Sequence, residues 1–184
     1  MGSSRNNLDC EALKLGATRA SIIDVSSIPF SFEFRRLCEE NKCGHYGKNW
    51  MCPPAVGSFE ELQAKAAAYT RGLLFQTVHS VADSFDQKGI QKAFSRHTNT
   101  LKKIIVTMEI KCGLRDILAL GAGPCTYCEK CTLLQKKPCR LPDRAVASME
   151  SYGIDVAGLV KRCGIPYSNE KNTISLVGCI LFNS

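Results

Sequence analysis

Seven of the eleven cysteines fall into two tight groups. One reads Cys125-x2-Cys128-x2-Cys131-x7-Cys139. Thiolates at three-residue spacing can wrap one compact inorganic core. A zinc ion takes two C-x2-C pairs set well apart, whereas a cubane accepts a rapid C-x2-C-x2-C series plus a nearby cysteine, because its irons sit at separate corners. This run therefore points to a 4Fe–4S cluster on Cys125, Cys128, Cys131 and Cys139, with structural zinc as the alternative. The gap before Cys139 is wider than in two-cluster ferredoxins, whose fourth cysteine serves the other cluster, so the assignment of Cys139 to this core stays open.

The second group is Cys38-x4-Cys43-x8-Cys52, followed by Pro53-Pro54. Three thiols leave one position of a cubane or of a tetrahedral zinc open, or they recruit a fourth ligand. Cys10, Cys112, Cys163 and Cys179 are the remaining cysteines. Cys163 and Cys179 lie in apolar patterns that suit buried thiols. Cys112 ends a long helix shortly before the second group and is the best reserve; His45 is a further candidate. Tyr46, Trp50 and Met51 share the Cys43–Cys52 loop, as a lid over a site or as packing around it.

The sequence carries no rival catalytic signature. Gly121-Ala-Gly123 lacks the third glycine of a dinucleotide fingerprint. There is no Walker loop, no zinc-protease helix motif and no Gly-x-Ser-x-Gly elbow. None of the three histidines, His45, His79 and His97, neighbours a nucleophile.

These groups need a scaffold. Residues 8–16 read as a helix closed by Gly16, and Arg19–Val25 as a strand. Residues 32–41 read as a helix capped by Ser31, with Cys38 on its last turn. Ser58-Phe-Glu-Glu61 is a capping box for a helix running to about Tyr69. Leu73–Val78 reads as a strand. Ile90, Ala93, Phe94, His97, Leu101, Ile104, Ile105 and Met108 recur at three- and four-residue steps through a helix over 87–112. Asp116–Leu120 is a short strand or helix, residues 144–152 a helix ended by Gly153, and Asp155 caps a helix to Cys163. The apolar run Thr173–Phe182 is a strand central in a sheet. The alternation predicts an α/β or α+β fold, with one small β-sheet of three to four strands flanked by helices. It is read as a single domain over 1–184, with metal-binding loops at 38–54 and 124–142.

Composition narrows the class. No stretch reaches the ~18 apolar residues needed to span a bilayer. The polar N-terminus Met1–Asp9 has no apolar core of a secretory signal. A cytoplasmic location follows, and there a cysteine density of this kind points to metal or redox chemistry and away from disulfides. The formal net charge is +7. A 4Fe–4S cluster on four thiolates carries about −2 and offsets part of it. Lys130, Lys136, Lys137, Arg140 and Arg144 surround the C-terminal cysteines. No basic stretch has interleaved aromatics that would stack bases, which argues against nucleic acid.

Three motifs occur in order: Cys-x4-Cys-x2-Tyr-Gly-x2-Trp-x-Cys-Pro-Pro, Gly-Ala-Gly-Pro-Cys-x2-Cys-x2-Cys-x7-Cys-Arg-x-Pro, and Ser-Met-Glu-x-Tyr-Gly-Ile-Asp-Val. Together they resemble the family of cysteine-rich predicted metal-binding proteins of anaerobic bacteria and archaea, a domain of unknown function, from about Cys38 to Phe182. The resemblance implies a cytoplasmic, metal-binding, iron–sulfur protein of anaerobic metabolism, with the seven motif cysteines as ligands. The leading expectation is electron transfer to a redox partner protein. An iron–sulfur enzyme with an open iron, for sulfur transfer, desulfuration or dehydration, is one alternative. A structural or regulatory zinc module is the other.

Overall fold

The computed structural model describes residues 7–183; the first six residues of the polar N-terminus lie outside it. Among the described residues there are five α-helices: α1 (Leu8–Lys14), α2 (Phe32–Leu37), α3 (Phe59–Ala67), α4 (Gln87–Cys112) and α5 (Val156–Arg162). The strands are β1 (Arg19–Asp24), β2 (Arg71–Ser80), β3 (Ile117–Gly121), β4 (Ala147–Ser148) and β5 (Thr173–Phe182). They form one sheet in the order β1-β2-β5-β3-β4, antiparallel except for the parallel β3–β4 pair.

The long strands β2 and β5 pair from Arg71↔Phe182 to Ser80↔Thr173. Leu73, Phe75, Ile180 and Phe182 point to a core shared with α1 and α4. Leu74, Val177, Cys179 and Leu181 point to the other core, with α3 and α5. Both faces are covered, which is why β5 reads as an unbroken apolar run. It is the middle strand of the sheet, as its composition predicts.

Local signals account for the helix starts. Ser58 and Glu61 form the reciprocal capping box of α3, and Asp155 accepts from the amide of Gly158 at the start of α5. Helix α4 has the predicted bounds, buries Ala93, His97, Leu101, Ile104 and Met108, and ends in left-handed Gly113. Among the described residues no helix is long and apolar enough to cross a membrane.

Two expectations are corrected. The sheet has five strands, not three to four. The extra one is β4, inside the stretch 144–152 read as a helix, which instead holds this two-residue strand and a 3₁₀ turn, Glu150–Tyr152. A strand that short has no periodicity of its own; it exists because β3 offers its edge. Helix α2 also stops early, at Leu37, and the chain from Cys38 to Gly44 runs in turns with Asn41 in the left-handed region.

The N-terminal approach to α2 is tied to the 3₁₀ turn. The amide of Ser31 donates to Gly153 O at 2.7 Å, and that of Asp155 to Pro29 O at 2.9 Å. These bonds hold the start of α2 against the 3₁₀ turn that follows β4.

Candidate metal centre

Cys38 caps the C-terminus of α2, and Cys43 and Cys52 follow in the turns and bends after it. The three thiols line a cavity of about 380 Å³, closed on the far side by Gly123, Pro124 and the Ser148–Ser151 segment. The amide of Gly47 donates to Pro53 O at 2.8 Å and draws the two ends of the loop together.

A cation stands behind this set. Arg35 is 5% exposed. Its Nη1 donates to Ser151 O and its Nη2 to Gly57 O, each at 2.6 Å. Burial pushes its pKa down, and the neighbouring Cys38, Glu39, Tyr46 and Cys52 oppose that. Two carbonyls accept from the guanidinium but supply no opposite charge, and a buried ion calls for one.

The thiols are ready to supply it. Burial pushes Cys38 up, with Glu150 the next cause. Cys52 is pushed up to about 12, first by burial, then by Cys43, Cys38, Cys125 and Cys131. Both therefore stay protonated near neutral pH until a metal displaces the proton. Burial also pushes the Glu150 carboxyl up, while its own amide and the Ser148 side chain hold it down.

The C-terminal set is folded by a compact turn. The 3₁₀ segment Thr132–Gln135 ends in left-handed Lys136, and the Thr132 hydroxyl donates to Pro138 O at 2.8 Å. That turn absorbs the wide gap before Cys139 and returns it to the space lined by Cys125, Cys128 and Cys131.

Residues 49–51 connect the two sets. The buried Asn49 donates from Nδ2 to Cys125 O at 3.0 Å and accepts the Met51 amide at 2.9 Å. The Trp50 amide donates to Cys131 Sγ at 3.4 Å, and its indole N–H to Lys137 O at 3.0 Å. The sequence-predicted aromatics divide accordingly: Tyr46 lines the three-thiol cavity, whereas Trp50 and Met51 line the four-thiol space.

The reserve cysteines sit elsewhere. Cys112 packs on the α1–α4 core, Cys179 lies buried in β5, Cys163 packs on the α3–α5 core and Cys10 is exposed on α1. None lines the three-thiol cavity, and His45 does. Three residues escape sequence reasoning: Arg35, Asn49 and Glu150. Glu150 is a fixed position of the third motif, the one signal that could have found it; Asn49 falls at an unspecified position of the first, and Arg35 outside all three.

Among the described residues, no three or more His, Cys, Asp or Glu side chains converge on a position for a single metal ion. A polynuclear core instead takes ligands at separate corners. The donor set fits a thiolate-held metal centre on three counts. It offers seven free thiols, an amide N–H aimed at one of the sulfurs, and a buried guanidinium beside the others.

A histidine pair lies behind the four-thiol loop. Thr77 Oγ1 is 2.9 Å from His97 Nδ1 and 3.0 Å from His79 Nε2. His97 stacks on Phe75 at 5.1 Å, and its Nε2 has no hydrogen-bond partner among the described residues. Burial, then His79, depresses its pKa to about 4. The unfolded chain therefore takes up this proton first, near the ordinary value of 6.5. Its contribution is fully present above that value and is lost as pH falls towards 4, by about 3 kcal/mol. Urea midpoints at pH 7 and pH 4.5 should differ accordingly, and a His97→Asn variant should lose that part of the difference. An unchanged difference would remove His97 as its source.

A family model described as "Predicted metal-binding protein (DUF2284)" matches residues 21–182. No curated protein and no solved structure matches.

Proposed function

We infer, for a chain that belongs to this family of predicted metal-binding proteins, that its seven motif cysteines hold two neighbouring iron–sulfur centres and that it transfers electrons to a partner protein. Cys125, Cys128, Cys131 and Cys139 would hold one 4Fe–4S cluster, and Cys38, Cys43 and Cys52 three corners of a second. The observation that carries this reading is the junction at residues 49–52. Asn49 donates to Cys125 O and Trp50 to Cys131 Sγ, and Cys52 follows two residues on.

Bound there, such clusters supply one-electron chemistry at potentials set by N–H···S bonds, burial and local charge. The Trp50 amide and the Arg35 guanidinium both favour the more negative, reduced state. Lys130, Lys136, Lys137 and Arg140 are exposed on the C-terminal loop and suit docking to an acidic partner. Reduced thiols fit a cytoplasmic, anaerobic setting.

The test is iron and acid-labile sulfide content of protein purified without oxygen, with EPR before and after dithionite. Two clusters' worth of iron and sulfide with a reducible signal is the expected result. Serine at all of Cys125, Cys128 and Cys131 should remove about half of both. Zinc without sulfide would overturn the reading and leave a structural module. A second reading, an enzyme for sulfur transfer, desulfuration or dehydration, is favoured by the cavity of about 380 Å³ beside the three thiols. It requires that a small molecule perturb that centre and not the other.

A further inference from the structure

We propose that the carboxylate of Glu150 is the fourth protein ligand of the metal centre held by Cys38, Cys43 and Cys52. The proposal rests on the reading of those three thiols as a metal site. A thiolate cubane needs a ligand at each of four corners, and the cysteines outside the motifs lie on the helices or inside the sheet, away from the cavity. The missing ligand must come from the cavity wall or from solution.

Glu150 occupies that wall. It opens the 3₁₀ turn directly after β4, so its position is set by the sheet and not by a loose loop. The carboxylate accepts from the Ser148 side chain and from its own amide. Ser148 Oγ in turn takes the Ser151 amide at 3.1 Å, which orients the donor. Among the described residues no cation is ion-paired with Glu150. The nearby Arg35 is engaged by Ser151 O and Gly57 O. A carboxylate set into protein without a counter-ion is costly, and a metal centre removes the cost.

The other acid at the cavity, Glu40, is exposed and paired with Lys42 at 2.5 Å. His45 also lines the cavity, but from the turn-rich segment two residues past Cys43 and not from an element anchored to the sheet. Iron accepts carboxylate oxygen as well as thiolate. A harder ligand at one corner raises the potential of the centre, as histidine does in Rieske centres.

The experiment compares wild type with Glu150→Gln, Glu150→Cys, His45→Ala and the triple variant Cys38→Ser/Cys43→Ser/Cys52→Ser, each reconstituted without oxygen. Glutamine keeps the shape and the Ser148 contact, and thermal unfolding of the metal-free proteins verifies that the fold is retained. The readouts are iron-to-sulfide ratio, EPR line shape, midpoint potential and the response to added cyanide. In Glu150→Gln, one iron of four at this centre is expected to be lost on mild oxidation, and cyanide should alter one of the two EPR signals. Glu150→Cys should restore the iron and shift that centre to a more negative potential than in wild type. Glu150→Gln indistinguishable from wild type, or the same changes in His45→Ala, would overturn the assignment of Glu150 alone. A triple variant with undiminished iron and sulfide would overturn the three-thiol site itself, and the proposal with it.

Discussion

An Arg35→Met variant is expected to lose about 3 kcal/mol of stability in the metal-free chain and to load metal poorly at the three-thiol set. Arg35 is 5% exposed and donates to Ser151 O and Gly57 O at 2.6 Å each. Methionine fills much of the volume but satisfies neither carbonyl, and each buried acceptor left without its charged donor costs about 1.5–3 kcal/mol. The relief of desolvating a guanidinium offsets part of that sum. Metal loading is affected for a different reason. Thiolates at Cys38 and Cys52 would lose the buried cation beside them, so the anionic centre becomes harder to form. Urea unfolding measured with and without reconstituted metal separates the two effects. Arg35→Lys keeps the charge but not the two-pronged geometry, so it should fall between. A methionine variant within about 0.5 kcal/mol of wild type would mean that neither carbonyl depends on the guanidinium.

The second large effect lies at Gly153. It has φ +72°, and a Cβ there would stand 2.8 Å from Ser31 O and run into the Phe59 ring. Alanine must therefore accept a left-handed backbone and push apart the segment that ties α2 to the 3₁₀ turn. The backbone term is about 1–2 kcal/mol and the overpacking about 1–3 kcal/mol more, so Gly153→Ala should cost about 4 kcal/mol in all. Because that segment carries Cys38 on one side and Glu150 on the other, metal content at the three-thiol set should fall as well. Gly44→Ala is the matched control: φ is +74° but nothing lies within 4 Å of the added Cβ. It should show the backbone term alone. Equal losses in the two variants would mean that the contact with Ser31 yields easily and does not hold the site together.

Legibility followed range along the chain. The capping box at Ser58 and Glu61, the buried stripe of α4 and the apolar run of β5 are written in contiguous residues, and each forms as read. Strand β4 is not so written. Ala147 and Ser148 become a strand because Leu120 and Gly121 lie alongside them. Helix α2 ends early because the chain turns at Cys38 to build the cavity wall, which propensity alone does not show.

The sequence by itself determined the family and the grouping of the seven thiols, because the spacing within each motif is covalent and survives any fold. The tertiary structure alone decided that the two groups adjoin through Asn49 and Trp50. It also decided that a buried Arg35 stands behind one of them and that Glu150 faces the same cavity. Those neighbours come from segments up to 116 positions apart. Their meeting depends on strand order and register, which depend on the packing of the whole sheet rather than on any local run of residues.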